Sequence, residues 1–303
     1  MLVEAVLTGA VRGGTSILYA TLGETVAERS GTIYLGIEGS MLCGALAAYV
    51  VGVETGSPYL GVLAGIVAGA ALAGVHAAMV IWRRANQIAT GLVVTFLALG
   101  LTALFGQDHV GVGVEPLPRY AVPGLSELPF VGGILFDHDL LTYLSFAVAP
   151  ALWWTFYRTR IGMVLRSAGE RPEVLRTYGT SPRTVRTVAL LVAGGLAGLG
   201  GAQLSTAFAL NWSENMTAGR GFVAVALVIF AAWNPLKAVG GAYLFSGAIA
   251  LQLQLQARGW EVSRYLLEAL PYVLVIVVLA ALSRRRSGTE PEALNHVFHD
   301  VAV

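Results

Sequence analysis

The chain has 303 residues, of which 56% are hydrophobic and 12% charged, and its mean hydropathy is +0.70. Soluble domains carry about 25% charged residues, because their surface faces water. Here the apolar residues form blocks of about 18 to 24, long enough to cross a bilayer as helices. The composition therefore excludes a soluble globular protein, and the absence of strict alternation excludes an outer-membrane barrel. A formal net charge of +1 offers no general attraction for nucleic acid, so none is expected as a partner.

Several common kinds of chemistry are missing from the sequence. The single cysteine, Cys43, excludes an internal disulfide, and no Cys/His pattern predicts a metal site. The single lysine, Lys237, is followed by Ala238, so the lysine-containing loop that cradles ATP phosphates is absent. No serine-nucleophile elbow or zinc-protease helix motif is present either. We therefore predict that the chain is not an enzyme and carries no catalytic, cofactor-binding or metal-binding residues.

Apolar runs predict an all-α, polytopic membrane helix bundle of about nine transmembrane segments, in a range of about 8 to 10. The candidate segments are Leu2–Leu22, Ile33–Val53, Tyr59–Trp82, Ile88–Gly106, Leu140–Tyr157, Thr187–Leu204, Gly221–Trp233, Ala238–Leu251 and Leu266–Leu282. The first is weak because Glu4 and Arg12 interrupt it, and lying along the membrane interface is its alternative. We divide the chain into a transmembrane domain, residues 1–283, and a cytoplasmic C-terminal tail, residues 284–303.

The distribution of arginine orients this bundle. When the segment between the fifth and sixth spans is placed in the cytoplasm, 14 of the 19 basic residues fall on the cytoplasmic side. This bias follows the positive-inside rule. We therefore predict an outside N-terminus and a cytoplasmic C-terminus.

Two places in the predicted bundle look unlike ordinary spans. The segments Gly221–Trp233 and Ala238–Leu251 have only about 13 or 14 residues, short of the roughly 20 needed, and they meet at the turn signal Asn234–Pro235. They form either a tight hairpin of tilted helices or a pair of half-helices that line a central path. The second place is Gly31–Gly44, where glycines surround Glu38. Irregular backbone at membrane depth is tolerated only where protein or a water-filled cavity encloses it.

Small residues recur every four positions in two of the predicted helices. Gly61, Gly65 and Gly69 form one stripe, and Gly194 and Gly198 begin another. Small residues allow helix backbones to approach closely, which is a main source of attraction between helices in lipid. We interpret both stripes as packing surfaces.

A short amphipathic helix is predicted within the long basic loop. Pro172 suits the first helical position and Gly179 suits the residue after the last. Such a short helix is unstable alone, so it must pack on something. Two interpretations stay open: a helix that lies on its own bundle or on lipid headgroups, and a docking helix that enters a groove on a soluble partner.

Four motifs in fixed order resemble the permease subunits of nucleoside and simple-sugar ABC importers, a branch of the ribose and branched-chain amino-acid permease superfamily. They are Leu22–Gly31 continuing into Thr32–Gly39, Ala85–Leu92, Gly169–Gly179 and Asn215–Phe222, and the loop Pro123–Gly132 also fits. The resemblance extends from about Leu22 to Leu282. Family members usually have asparagine where this chain has Tyr34.

The resemblance implies how transport would be powered. It implies a separate ABC ATPase subunit that holds ATP and Mg, a second and homologous permease subunit, and an extracytoplasmic solute-binding protein, all at a prokaryotic inner membrane. ATP-driven motion would enter this chain through its coupling helix and switch the bundle between two orientations by alternating access. The coupling residues are then Glu170, Pro172, Glu173, Leu175, Arg176, Tyr178 and Gly179.

The candidate solute path consists of polar residues in apolar or glycine-rich segments. They are Tyr34, Glu38, Gln87, Thr90, Asn211 and Asn215. An ionisable group at membrane depth costs about 2.5–3.5 kcal/mol or more, so Glu38 must face partners or water. It either binds a solute hydroxyl or holds two backbone segments together. The alternative function, an ion-coupled secondary transporter of a small polar solute, would use Glu38 and His76.

Overall fold

The computed structural model describes residues 2–258, 266, 269, 271–273, 276–277 and 291–294. The helices are α1 (Leu2–Arg29), α2 (Ile37–Thr55), α3 (Pro58–Ala77), α4 (Gln87–Gly106), α5 (Gly132–Leu135), α6 (Leu140–Arg158), α7 (Arg160–Glu170), α8 (Pro172–Thr177), α9 (Pro182–Gln203), α10 (Arg220–Phe230) and α11 (Pro235–Ala257). Single π-helical stretches, Ala78–Trp82 and Leu204–Ala209, extend α3 and α9, and a 3₁₀ turn, Gln107–His109, follows α4. Two short strands, β1 (Arg119–Ala121) and β2 (Asp137–Asp139), pair antiparallel with Tyr120 opposite His138.

Local sequence explains where many of these helices begin. Prolines occupy the first turn of α3, α8, α9 and α11, where their missing N–H and fixed φ are tolerated. Side chains cap others: Asn86 Oδ1 accepts from the Ala89 N–H at 3.0 Å, and Asp139 Oδ1 accepts from the Thr142 N–H at 3.0 Å. These caps satisfy backbone donors that have no partner within their own helix.

Six helices of the described residues are long and apolar enough to cross a membrane: α2, α3, α4, α6, α9 and α11, with α3, α4 and α9 counted together with their extensions. They confirm an all-α polytopic membrane protein. The predicted segment Leu266–Leu282 falls largely outside the described residues, so the total of about nine stays a prediction, as does the domain boundary at residue 283.

The prediction that two short segments meet at Asn234 is half correct. α10 has only 11 residues. α11, in contrast, has 23 residues, so the short segment Ala238–Leu251 is wrong. It begins at Pro235 and continues through Gln252, Gln254 and Gln256, polar residues that ended the apolar run in sequence. Of these two helices, α10 is therefore the one that is too short to cross a bilayer.

The weakest predicted span, α1, lies at the centre of the bundle. It has 28 residues and is buried almost continuously from Ala10 to Arg29 against α6, α9, α10 and α11. An interfacial helix would expose one long polar face. This burial favours a helix that crosses the bundle over one that lies along its surface. Arg12, one of the two charges that interrupt the apolar run, is half-buried in this helix.

The predicted glycine stripes pack α3 against α2 and α9. A Cβ on Gly69 would collide with the carbonyl oxygen of Gly194, and one on Gly198 would collide with the carbonyl oxygen of Gly65. Backbone therefore contacts backbone with no side chain between the helices, as small-residue stripes require in lipid.

Replacing Gly198 with alanine is expected to destabilise this contact. Since backbone atoms of α3 would have to move, we expect a loss of about 1–3 kcal/mol, as for other overpacked sites. Thermal unfolding of the detergent-solubilised chain measures it. Gly100→Ala is the matched control, because a Cβ at Gly100 in α4 meets nothing within 4 Å. Equal melting temperatures for the two variants would contradict the packing described here.

The short helices, strands and loops that connect the long helices lie on two opposite faces of the bundle. The α8 face, defined by α7, α8 and residues 30–36 and 81–87, is joined by hydrogen bonds from the Ile33 N–H to Gln87 Oε1 (2.8 Å) and from Arg186 Nη2 to the Ala168 carbonyl (2.8 Å). The hairpin face, defined by β1, β2 and α5, is joined to the bundle by the Leu117 N–H, which donates to the Thr206 carbonyl at 3.2 Å. Residues 291–294 pack on the α8 face, where the Glu292 N–H donates to Glu170 Oε2 at 3.4 Å.

Candidate functional site

The buried carboxylate of Glu38 joins the first turn of α2 to the beginning of α10. Its Oε1 atom accepts from Thr217 Oγ1 at 2.6 Å and from the Gly219 N–H at 2.9 Å. Its Oε2 atom accepts from the Gly221 N–H at 2.5 Å. Both oxygens are therefore occupied by donors of one short segment, and Glu38 caps α10 from a different helix.

The backbone before α10 is shaped to present those donors. Asn215, Ala218 and Gly219 adopt left-handed φ values of 55°, 46° and 83°. The Ala218 and Arg220 N–H groups donate to carbonyls within this turn, and the Gly219 and Gly221 N–H groups donate to Glu38. Gly221 is required by close approach, because a Cβ there would lie 2.7 Å from the Glu38 backbone nitrogen. The positive end of the α10 dipole adds to the attraction for the carboxylate.

α10 is a half-helix whose first residue lies inside the bundle. Its 11 residues span about 16 Å, roughly half of the hydrocarbon thickness of about 30 Å. At its far end, the Trp233 Nε1 atom donates to Glu28 Oε2 at 2.5 Å, close to the end of α1. The irregular segment 210–219 that precedes α10 encloses the buried side chains of Trp212 and Thr217. The rest of this segment is half-buried or exposed, and its exposed residues are Asn211, Ser213, Glu214, Asn215 and Ala218.

A second buried network fixes the connection between α1 and α2. The Tyr34 N–H donates to Glu24 Oε1 at 2.8 Å, and the Tyr34 hydroxyl bonds to Ser40 Oγ at 2.5 Å. Ser40 Oγ in turn donates to the Gly69 carbonyl at 2.9 Å, and the Tyr34 ring lies 4.8 Å from the His76 ring between centroids. Tyr34 is completely buried, and its polar atoms bond within the chain.

The last turn of α1 carries functional residues that the sequence analysis did not single out. Glu28 binds the Trp233 indole, and Arg29 Nε donates to the Trp233 carbonyl at 3.2 Å. Glu28 and Arg29 therefore fasten α1 to the turn between α10 and α11, whereas Glu24, one helical turn earlier, fastens α1 to Tyr34. The signal was present in sequence: Glu24 and Glu28 lie four positions apart, on one face of a helix whose neighbouring residues are apolar.

Trp233→Phe is expected to lower the stability of the chain, because it removes the hydrogen bond from the indole N–H to Glu28. The phenyl ring keeps most of the buried volume but removes the N–H, which leaves a buried carboxylate oxygen without its donor. We expect a loss of about 1–3 kcal/mol, measured by thermal unfolding in detergent. Trp154→Phe is the matched control, because Trp154 is exposed on α6. An unchanged melting temperature in Trp233→Phe would show that the indole bond contributes nothing.

The six predicted path residues do not form one cluster. Glu38 and Asn215 belong to the same neighbourhood, since Asn215 begins the turn that Glu38 caps. Gln87 and Thr90 lie at the start of α4 on the α8 face, and Asn211 is exposed in the segment before α10. The role of all six in a solute path stays a prediction.

The predicted short helix in the basic loop is confirmed. α8 begins at Pro172, and Gly179 follows it with a left-handed φ of 73°. Leu175 is buried against the bundle, whereas Val174 is 39% exposed and Tyr178 81% exposed. α8 is thus held to its own chain by one apolar residue and presents two others outward. The helix thus packs on its own bundle, and its docking on a soluble partner stays a prediction.

These features define a class: a multi-pass membrane protein with a discontinuous helix whose first turn is held inside the bundle. Comparison with known proteins gives the family. Residues 6–279 match the family described as branched-chain amino acid transport system, permease component. The chain belongs to this permease family.

Three relatives are similar over most of the chain. A putative glucose ABC transporter permease protein of Haloferax volcanii is 41% identical over 255 residues, which cover 83% of this chain and 78% of the relative. A nucleoside ABC transporter permease protein of Lactococcus lactis is 31% identical, with 93% of each chain covered. A guanosine ABC transporter permease protein of Bacillus subtilis is 30% identical, with 93% of this chain and 92% of the relative covered. No solved structure matches the chain.

Proposed function

We propose that this permease subunit carries a nucleoside or a simple sugar into a prokaryotic cell by alternating access, driven by a separate ATPase subunit. The observation that carries the proposal is the similarity, over most of the chain, to permeases named for glucose, guanosine and nucleosides. The half-helix α10 also supports the proposal, since transporters use such helices beside their solute path.

The electrostatics at α10 favour a neutral solute. A half-helix N-terminus inside a transporter can bind an anionic group of the substrate. In this chain the carboxylate of Glu38 already accepts from Thr217, Gly219 and Gly221. The Gly219 and Gly221 N–H groups, which could otherwise bind an anionic substrate, are thus taken by Glu38, and this agrees with an uncharged nucleoside or sugar.

The partners follow from the same proposal. An ABC ATPase that binds ATP and Mg would dock on α8, through the exposed side chains of Val174 and Tyr178. A second, homologous permease would complete the pathway, and an extracytoplasmic solute-binding protein would deliver solute to the hairpin face. The α8 face would then be cytoplasmic in the inner membrane, together with the C-terminal residues 291–294 that pack on it.

Reconstitution tests this function. The chain is placed in proteoliposomes with the ATPase and permease encoded by neighbouring genes, and nucleosides, pentoses and glucose are screened for uptake and for stimulated ATP hydrolysis. We expect one solute class to stimulate both, with no effect when an ionophore collapses ion gradients. Uptake that needs an ion gradient and no ATPase would instead support a secondary transporter and overturn the proposal.

A further inference from the structure

Four arginines from three parts of the chain converge on a cavity in the α8 face. Arg84 follows α3, Arg176 belongs to α8, and Arg183 and Arg186 belong to the first turns of α9. The inner part of the cavity has a volume of about 250 Å³ and reaches Thr32 between α1 and α2. An outer part of about 520 Å³ shares Arg84, Arg176 and Arg183 and opens outward beside Thr180 and Ser181.

The positive charge of this cavity is not balanced by the chain itself. No carboxylate is among the described residues that line either part. Arg186 is engaged, because its Nε donates to the Ser30 carbonyl at 3.0 Å and its Nη2 to the Ala168 carbonyl. In the described part of the chain, no hydrogen bond or ion pair engages the guanidinium groups of Arg84, Arg176 or Arg183. Arg84, Arg176 and Arg183 are exposed, so an anion from solution can reach all three side chains.

Backbone features add to this field. α9 has 22 residues, and its first turn opens at the cavity with Pro182 at the start and no side-chain cap. The N–H groups of its first turn lack acceptors within the helix, and its dipole is positive at this end. Arg84 holds a left-handed φ of 58°, which is rare for a residue with a side chain and tends to persist where a function needs it.

We propose that this cavity binds a phosphate group, either as inorganic phosphate or as the phosphate of a small monoester. Each guanidinium presents a planar fork of N–H donors that fits two oxygens of one anion. A carboxylate has two oxygens and cannot serve three such forks. A terminal phosphate has three oxygens and a charge near −2, which matches the three unengaged arginines.

Binding would also fix the position of α8. Arg176 would be joined through the anion to Arg84 beyond α3 and to Arg183 on α9, so that α8 could not move separately from the bundle. Resting on the proposed function, this makes the site inhibitory: a phosphorylated product that accumulates in the cytoplasm would slow further uptake.

Calorimetry tests the binding directly. The full-length chain in zwitterionic nanodiscs is titrated with inorganic phosphate and with ribose 5-phosphate at constant ionic strength. We expect saturable binding with one site per chain, weakened about tenfold or more in Arg84→Gln and Arg183→Gln, since each substitution removes a charged hydrogen-bond donor. Arg158→Gln, an exposed arginine at the end of α6, is the control and should bind as the wild type does. Equal weakening in all three variants, or no saturation, would overturn the proposal.

Two further arms separate the possible sources of the anion. Phosphate binding should persist in nanodiscs that contain anionic lipid, and it should persist after the ATPase is bound. Loss in anionic lipid would assign the cavity to a lipid headgroup, and loss on ATPase binding would assign it to an acidic side chain of that subunit. Either result overturns the site for a small phosphate.

The regulatory consequence has its own readout. In proteoliposomes of the assembled complex, phosphate on the α8 face should slow wild-type uptake and leave Arg183→Gln uptake unchanged. Wild-type uptake that ignores phosphate, although calorimetry detects it, would overturn the inhibitory role. Absence of any wild-type uptake would count against the proposed function, while calorimetry still decides whether the cavity binds phosphate.

Discussion

Glu38→Gln is expected to lower both the thermal stability and the membrane level of this permease. An amide has one acceptor oxygen in place of two. In one orientation its NH₂ group faces the Gly221 N–H, and in the other it faces the Thr217 hydroxyl and the Gly219 N–H, so a donor meets a donor in both. We expect a loss of about 1–3 kcal/mol, the usual cost of leaving buried donors unsatisfied. Melting of the solubilised chain and quantitative blotting of membranes measure the two effects.

The controls decide between the two roles left open for Glu38. Glu54→Gln changes an exposed glutamate on the same helix and should leave both measurements unchanged. Thr217→Val removes one donor and should lower stability less than Glu38→Gln. Normal membrane level and melting temperature for Glu38→Gln, combined with lost uptake, would mean that Glu38 contacts the solute and that its capping of α10 is dispensable.

Combining Val174→Asp with Tyr178→Ala is expected to uncouple transport while leaving the bundle intact. Both side chains point away from the bundle, so the free chain loses little, whereas the proposed ATPase contact loses its apolar centre. Central aromatic residues of an interface commonly contribute about 2 kcal/mol or more, so ATPase co-purification and stimulated hydrolysis should fall by tenfold or more.

Two control variants accompany this test, one at an exposed leucine far from α8 and one at the buried leucine of α8. Leu128→Ala removes an exposed leucine from the hairpin face and should not affect ATPase binding. Leu175→Ala removes the buried contact that holds α8 and should lower thermal stability as well as coupling. Unchanged co-purification in the Val174/Tyr178 double variant would place the ATPase elsewhere on the chain.

The bounds of a helix were predictable from sequence mainly where the helix coincides with a single apolar run that is long enough to span a bilayer. α4 and α6 begin within a residue of their predicted positions, because capping residues stand beside long apolar runs. α2 begins four residues later than predicted. Its preceding segment is held in irregular form by Glu24 and Gln87, which bind the N–H groups of Tyr34 and Ile33 across 10 and 54 residues of sequence. Contacts of this kind leave no periodic pattern.

The candidate site shows the same division. Glu38 was recognisable, because an ionisable residue in an apolar segment must have a partner. Its partners were not, since Thr217, Gly219 and Gly221 lie 179 to 183 residues away. Only the three-dimensional arrangement shows that the carboxylate serves as the cap of another helix.

The two ends of α10 are tied to different helices, to α2 through Glu38 and to α1 through the bond between Trp233 and Glu28. α10 therefore cannot tilt while both sets of hydrogen bonds hold and α1 and α2 stay in place. Any rearrangement that opens the bundle must either move α1, α2 and α10 as one rigid unit or break the hydrogen bonds to the carboxylate at one end of α10. The strength of these two bonds then sets which of those motions is the easier one.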